Sequence, residues 1–148
     1  MKRSGVDTSL LAVKGEKSYT GRCVCLVDKT GQRTMRPSLE DAIRLQPEEV
    51  LAEQLSGVQW VVVNGYSYYS DGFLEAACDA ASIAGAKVAM HLASFEIVRK
   101  FRTPLTSLLA SGKVSVVFAN EDEARELVGG GDASSESIET DTKVTFFF

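Results

Sequence analysis

The feature that most constrains the fold is a regular alternation of strand-like and helix-like segments over residues 58–128. Residues 58–64 form a continuous apolar run, which is typical of a strand that is buried on both faces. Residues 71–85 then place their apolar side chains on one helical stripe, and two further strand–helix pairs follow. Strands that alternate with helices need crossover connections, so the pattern predicts an α/β fold with a parallel sheet and flanking helices.

The two later pairs have less regular helices. Residues 87–93 and 114–119 are predicted to be a second and a third strand. Residues 94–111 between them are predicted to be helical with a break at Pro104, because proline lacks a backbone N–H. The last helix is predicted to begin at Asn120.

The N-terminal part of the chain has the two-residue period of a β-strand instead. Residues 19–28 alternate apolar and polar side chains, residues 32–37 read as a returning strand, and a Gly-containing turn lies between them. This predicts a β-hairpin ahead of the α/β region. Short helices are then predicted to begin at Ser38, from a capping-box pattern, and at Pro47, from a proline in a first turn.

Charge and hydropathy exclude several classes of partner. The net charge of −4 argues against nucleic acid or an anionic membrane as the main partner, because both require a basic face. No apolar run approaches the ~20 residues of a membrane-spanning helix, so the cytoplasm is the expected location.

Cys23, Cys25 and Cys78 lack metal-site spacing and are expected to be reduced packing residues, the first two on one strand face. His91, the only histidine, is expected to be a packed or rim residue.

Two positions at predicted strand ends are candidate site residues. Asn120 and Glu123 are spaced as Asn-x-x-Glu, which fits a capping box that satisfies free backbone N–H groups. The same two side chains suit a hydrated magnesium ion beside nucleotide phosphates, because Mg²⁺ takes few protein oxygens and keeps several waters. Gly65 follows the first core strand, where a glycine permits close approach to a substrate but also forms an ordinary turn. The pattern alone leaves these alternatives open.

Taken together, several segments resemble the PfkB family of carbohydrate and nucleoside kinases, which has the ribokinase-like fold. The resemblance covers roughly residues 3–128, and the matching segments occur in the family's order. They are the Tyr19–Asp28 strand with its Gly31-x-Arg33-Thr34 return, Gly65-Tyr66, Leu92-Ala-Ser-Phe-Glu96 and Phe118-Ala-Asn-Glu-Asp-Glu-Ala124.

The resemblance implies ATP-dependent transfer of the γ-phosphoryl group to a hydroxymethyl group of a sugar or nucleoside. It implies that the hairpin, residues 19–37, is a lid that covers the substrate and mediates homodimer or heterodimer formation. It further implies that Thr20, Gly21 and Gly65 bind the substrate. Asn120 and Glu123 would organise Mg²⁺ and its waters around the phosphates of ATP.

The chain also departs from the family pattern. The di-glycine sugar-binding segment has no counterpart, and neither does the Gly-Ala-Gly-Asp motif that supplies the catalytic base and the anion hole. Residues 129–132 are similar in sequence to that motif, but they follow too soon after the helix that begins at Asn120. His91 occupies a position at which relatives often carry Asp. We therefore expect residues 1–128 to be the middle of a kinase domain, with residues 58–128 as its core, and assign no catalytic residue.

The C-terminal residues 129–148 are expected to be a flexible or aberrant tail. Their first part has linker composition, and their last five residues look strand-like with nothing to pair with. The expected function is thus that of a truncated, inactive portion of a kinase. The alternative is a non-catalytic, kinase-like binding or dimerisation subunit.

Overall fold

The computed structural model of the chain describes residues 4–11, 15 and 19–129, together with the backbone of residues 146–147. The chain divides into two units, residues 1–45 and residues 46–148. Among the described helices, none is long and apolar enough to cross a lipid bilayer.

The N-terminal unit is built around the predicted hairpin. Strand β1 (Arg22–Val27) pairs antiparallel with β2 (Arg33–Ser38). The turn between them is held by Asp28, whose Oδ1 accepts hydrogen bonds from the Thr30 N–H (2.8 Å), the Thr30 hydroxyl (2.7 Å) and the Gln32 N–H (3.0 Å). The bonds from Thr30 hold the pKa of Asp28 below its ordinary value. The prediction of a hairpin with a turn at this point is confirmed.

The burial of the cysteines only partly agrees with expectation. Cys23 and Cys25 are exposed, because both faces of the two-stranded sheet are open within the described residues. Their expected packing role is therefore wrong in this structure. Cys78 is fully buried, and burial raises the pKa of its thiol to about 11, so it stays protonated at neutral pH. All three cysteines are free, as predicted.

The helix expected at Ser38 differs from the prediction. A 3₁₀ helix spans Glu40–Ile43, and its N-cap residue is Leu39, which supplies no side-chain cap. The Ser38 hydroxyl donates to the Glu40 carboxylate at 2.6 Å instead of capping the backbone. The expected capping box is therefore wrong.

The second unit is an α/β structure with a parallel sheet, as predicted. The strands pair in the order β3 (Trp60–Asn64), β4 (Lys87–His91), β5 (Val116–Phe118) and β6 (Phe146–Phe147). The helices are α1 (Phe73–Ile83), α2 (Phe95–Lys100), α3 (Arg102–Ala110) and α4 (Glu121–Val128). Shorter 3₁₀ helices span Pro47–Glu49, as expected from its first-turn proline, Ala52–Leu55 and Gly65–Tyr69.

The core of this unit lies between the sheet and the helices. Its centre is formed by apolar side chains with almost no exposed area: Leu74, Cys78, Ala81, Val88, Met90, Leu92, Val98, Leu105, Val117 and Leu127. They come from the helical stripe of α1, from β4 and the residue that follows it, from β5, and from α2, α3 and α4. The apolar stripe predicted for residues 71–85 is therefore the buried face of α1.

The helical break lies at a different residue from the predicted one. Helices α2 and α3 are separated at Phe101, whose backbone leaves the helical region (φ −114°, ψ 26°). Pro104 lies within the first turn of α3, where the backbone N–H has no partner in the helix and proline is tolerated. Because proline cannot donate to the carbonyl of Lys100, four residues earlier, the predicted break is present but lies at Phe101 instead of at Pro104 itself.

The prediction that residues 58–64 are buried on both faces is also wrong. In β3, Val62 is 73% exposed and Trp60 is 45% exposed, whereas Val63 is buried. Strand β3 is an outer strand of the sheet formed by the described residues, and these residues cover only one of its faces.

The last strand corrects part of the expectation for the C-terminal residues. Phe146 and Phe147 pair in parallel with Val117 and Phe118 of β5, so the expectation that this segment has no strand partner is wrong for these two residues. The predicted linker, apart from Gly129, lies outside the described residues.

A bidentate ion pair joins α2 to α4. Arg99 Nε lies 3.0 Å from Glu126 Oε1, and Arg99 Nη2 lies 2.8 Å from Glu126 Oε2. These bonds hold the pKa of Glu126 below its ordinary value of 4.5 and raise the pKa of Arg99. The stabilisation from the carboxylate is therefore complete above the unfolded pKa and is lost as the pH falls through the lowered folded pKa.

We expect Glu126→Gln to destabilise the protein modestly at pH 7 and to have little effect at a pH below the lowered pKa of Glu126. The loss is small because the Arg99 side chain is 65% exposed. Urea unfolding of both proteins across this pH range measures the difference. Glu121→Gln is the control, because its 3.4 Å contact with Arg125 is more exposed and monodentate. An equal loss of stability at acid and neutral pH would contradict the prediction.

Candidate functional site

The carboxyl ends of three parallel strands meet at one edge of the sheet. Asn64, His91 and Phe118 end β3, β4 and β5, and they are paired in register across the strands. The chain continues from them into Gly65, into the loop before α2, and into Asn120. Ligands of open α/β sheets bind outside this edge, so the side chains here are the candidates for a functional site.

Asn120 and Glu123 are brought together at this edge by the start of α4. The Asn120 Oδ1 accepts a hydrogen bond from the Glu123 N–H at 2.8 Å. In return, Glu123 Oε2 accepts from the Asn120 N–H at 3.0 Å, and Glu123 Oε1 accepts from the Asn120 Nδ2 at 3.2 Å. This is a complete capping box, so the capping interpretation of the motif is confirmed.

The two residues differ in exposure. Glu123 is only 2% exposed, whereas Asn120 is exposed to solvent. A buried carboxylate is unusual unless it is paired or hydrogen-bonded, and Glu123 receives both of its hydrogen bonds from Asn120. The first turn of α4 also carries Glu121 and Asp122, and both carboxylates contact the Arg125 guanidinium, at 3.4 Å and 3.2 Å respectively.

The arrangement fits a metal held through water better than direct ligation. A carboxylate offers about four acceptor positions, and two of those of Glu123 are occupied by Asn120. Within the part of the chain that the structure describes, no group of three or more His, Cys, Asp or Glu side chains is placed to hold a metal ion. A hydrated Mg²⁺ that keeps several of its waters is therefore the form of metal that suits these two side chains.

Gly65 has a packing role that the sequence did not show. It is buried, and a Cβ added to it would lie 2.3 Å from the Leu92 carbonyl oxygen and 3.2 Å from Ile97 Cγ2. Glycine therefore lets the end of β3 pack directly against the loop that follows β4. The expected role of Gly65 in substrate binding stays a prediction.

His91 lies at the rim of the sheet, which is one of its two expected positions. Its side chain is exposed, and its Nδ1 accepts a hydrogen bond from the Ala93 N–H at 2.9 Å. Ala93 has a φ of 78°, in the left-handed region that costs a non-glycine residue about 1–2 kcal/mol. The bond from Ala93 helps to hold this strained loop next to Gly65.

An aromatic group at the same edge was not identified from the sequence. Tyr66 and Tyr69 stack with ring centroids 6.5 Å apart, and Tyr68 stacks on Phe101 at 5.2 Å. Lys100 Nζ lies 4.6 Å from the ring centroid of Tyr69. The Tyr68 hydroxyl is buried without a hydrogen-bond partner in the described structure, and burial raises its pKa. The run Gly65-Tyr-Ser-Tyr-Tyr69 was the only sequence signal for this group.

Thr20 and Gly21 belong to the N-terminal unit. Both are exposed and lie directly before β1. A Cβ on Gly21 would lie 3.2 Å from the Leu39 carbonyl oxygen, which is a tight contact within that unit. Their expected substrate-binding role stays a prediction.

Comparison with known proteins adds to this geometry. The model of the pfkB family of carbohydrate kinases matches residues 1–143. A search of curated proteins finds no match to the chain. Among solved structures, the chain is similar to a probable sugar kinase from Rhizobium etli, with 32% identity over 73% of this chain and 34% of that one, at a TM-score of 0.66.

Two adenosine kinases are also similar. The enzyme from Sinorhizobium meliloti is 28% identical over 82% of this chain and 36% of that one, with a TM-score of 0.66. The enzyme from Anopheles gambiae, solved in complex with P1,P4-di(adenosine-5) tetraphosphate, is 25% identical over 83% and 37%, with a TM-score of 0.69. The chain spans roughly a third of the length of each of these three structures. With a family match over nearly its whole length, the chain belongs to the pfkB family of carbohydrate kinases.

Proposed function

We propose that this chain is part of a kinase that uses ATP to phosphorylate a hydroxyl group of a sugar or nucleoside. The observation that carries the proposal is the buried Glu123 carboxylate, held by Asn120 at the carboxyl edge of the sheet. The family match supports the reaction class, and the similar sugar kinase and adenosine kinases support the two acceptor classes.

The chemistry required of these residues is positioning rather than covalent catalysis. Phosphoryl transfer depends mainly on alignment of the reacting groups and on neutralisation of phosphate charge, and Mg²⁺ supplies that neutralisation when bound. Asn120 holds the Glu123 carboxylate in one orientation, and the acceptor positions left on that carboxylate would orient waters of the metal.

We further propose that these 148 residues are inactive by themselves. They span about a third of the similar kinases, and no catalytic base has been assigned among them. Loss of a general base alone lowers a rate by about 10²–10⁴-fold. The metal role of Asn120 and Glu123, and the substrate role of Thr20, Gly21 and Gly65, belong to the complete protein in this proposal.

The test compares the 148-residue chain with the complete protein from its source, whose intact mass shows whether it exceeds 16.0 kDa. Both are assayed for ATP-dependent phosphorylation of a panel of sugars and nucleosides, with and without Mg²⁺. We expect Mg²⁺-dependent turnover of about 1–100 s⁻¹ from the complete protein and at least about 10²-fold less from the chain alone. Turnover of about 1 s⁻¹ by the chain alone would overturn its proposed inactivity. No turnover of any acceptor by the complete protein would overturn the kinase assignment.

The second candidate function is a non-catalytic subunit that dimerises through its hairpin. The supporting observation is that the hairpin exposes the large apolar side chains of Val24, Leu26, Val27 and Met35. A native mass near 16.0 kDa together with a well-defined dimer in size-exclusion chromatography would favour this candidate. A native mass near 16.0 kDa with aggregation would argue against it. The cytoplasmic location expected from the sequence stays a prediction.

A further inference from the structure

One face of the hairpin carries three sulfur-containing side chains. Cys23 and Cys25 are two residues apart on β1 and therefore point to the same face, with their Sγ atoms 4.0 Å apart. Met35 lies directly opposite Cys25 in the antiparallel register. Directly opposite side chains project from the same face with Cβ atoms about 4.5–5.5 Å apart, so Met35 joins the two thiols.

We propose that Cys23, Cys25 and Met35 form a binding site for a soft monovalent cation, Cu(I) or Ag(I). Thiolate and thioether sulfurs are the ligands that select such ions over harder divalent metals. The proposed site shares no residue with the kinase site proposed above.

The spacing of the thiols suits a three-coordinate ion. With metal–sulfur bonds of about 2.3 Å, two sulfurs 4.0 Å apart subtend an angle of about 120° at the metal. This is the angle of a planar site with three ligands, which leaves one position for the Met35 thioether. Methionine has three rotatable side-chain bonds and a polarisable sulfur, so it can adjust to fill that position.

The rest of this face argues against zinc. The remaining side chains on it are Val27, Arg33 and Pro37, and none of these supplies a metal ligand. Zinc sites in proteins are mostly four-coordinate and are built from Cys, His, Asp and Glu side chains. The face offers only two such groups, together with a thioether that zinc seldom uses.

The proposed ligands are also accessible. Cys23 and Cys25 are exposed, and Met35 is 47% exposed. An ion can therefore reach the three sulfurs without opening of the core. Because these side chains contribute little to packing in the structure, each can be replaced with little risk to the fold.

The test is an anaerobic titration of the fully reduced 148-residue chain with Cu(I), using bicinchoninate as a coloured competing chelator. We expect one Cu(I) per chain, and a loss of affinity of about tenfold or more in Cys23→Ser and in Cys25→Ser. Met35→Leu keeps the shape of the side chain and removes the sulfur, so a smaller loss of about threefold is expected. Circular dichroism checks that every variant keeps its fold.

Cys78→Ala is the matched control, because Cys78 is buried and lies in α1. It should bind Cu(I) as the unmodified chain does. Loss of binding in Cys78→Ala, or unchanged affinity in Cys23→Ser and Cys25→Ser, would overturn the proposal. So would a preference for Zn²⁺ over Cu(I) under the same conditions. Native mass spectrometry with Ag(I) gives the stoichiometry, and silver found only in complexes of two chains would overturn a site within one hairpin.

Discussion

Replacing Gly65 by alanine is expected to lower the free energy of unfolding by about 3 kcal/mol. The added Cβ would lie 2.3 Å from the Leu92 carbonyl oxygen and 3.0 Å from the Leu92 carbonyl carbon. Both are backbone atoms, so a change of rotamer cannot relieve the contact. The end of β3 must move away from the loop after β4, and that movement disturbs the edge that carries the candidate site.

Urea unfolding measures this effect, with fluorescence as the probe. Trp60, the only tryptophan, lies in the same strand that leads into Gly65. Gly85→Ala is the control: Gly85 has a φ of 73° but nothing within 4 Å of an added Cβ. Its expected cost, about 1 kcal/mol, comes from backbone conformation alone. Equal losses in the two variants would show that the contact with Leu92 is not the cause.

The packing role of Gly65 illustrates what the sequence could not predict. A glycine after a strand is compatible with a turn, a ligand or a close contact, and the choice depends on Leu92, which is distant in sequence. The exposure of Val62 depends in the same way on which segments cover β3. The pairing of Phe146 and Phe147 with β5 depends on a strand nearly thirty residues earlier. In each case the deciding contact is non-local.

Features that depend only on the local sequence were predicted more accurately than features that depend on non-local contacts. The apolar stripe of α1 and the apolar runs of β4 and β5 predicted both the type and the order of these elements. The hairpin was predictable because Asp28 and Gly31 supply local turn chemistry. The helical break predicted from Pro104 is also present, but it lies at Phe101 because a proline disrupts the turn that precedes it.

The structure of the Asn120–Glu123 pair could be predicted only in part. Its capping geometry could be predicted because the motif is local and the partners are three residues apart. Its burial could not, because Glu123 is covered by parts of the fold that the motif does not encode. A buried carboxylate with both oxygens hydrogen-bonded is the property that distinguishes this pair from an ordinary exposed cap.

Glu123→Ala and Glu123→Gln are expected to separate the two roles of this residue. The alanine variant removes both hydrogen bonds to Asn120 and leaves a buried gap, so we expect it to lose about 2–3 kcal/mol of unfolding free energy. Glutamine keeps the shape and can still accept from the Asn120 N–H as in a normal capping box, but its amide nitrogen cannot accept from Asn120 Nδ2. We therefore expect Glu123→Gln to lose about 1 kcal/mol, less than the alanine variant.

In the complete protein, Glu123→Gln is expected to lower kinase activity by about 10- to 100-fold and to raise the Mg²⁺ concentration required for half-maximal activity. The reason is that glutamine retains the cap but loses the negative charge that would hold the waters of the metal. Glu126→Gln is the control, because it removes a carboxylate from the same helix that is bonded to Arg99 instead. Activity is measured as a function of Mg²⁺ at a temperature where all variants remain folded. If Glu123→Gln kept the Mg²⁺ dependence of the unmodified protein, the role of Glu123 would be limited to capping α4.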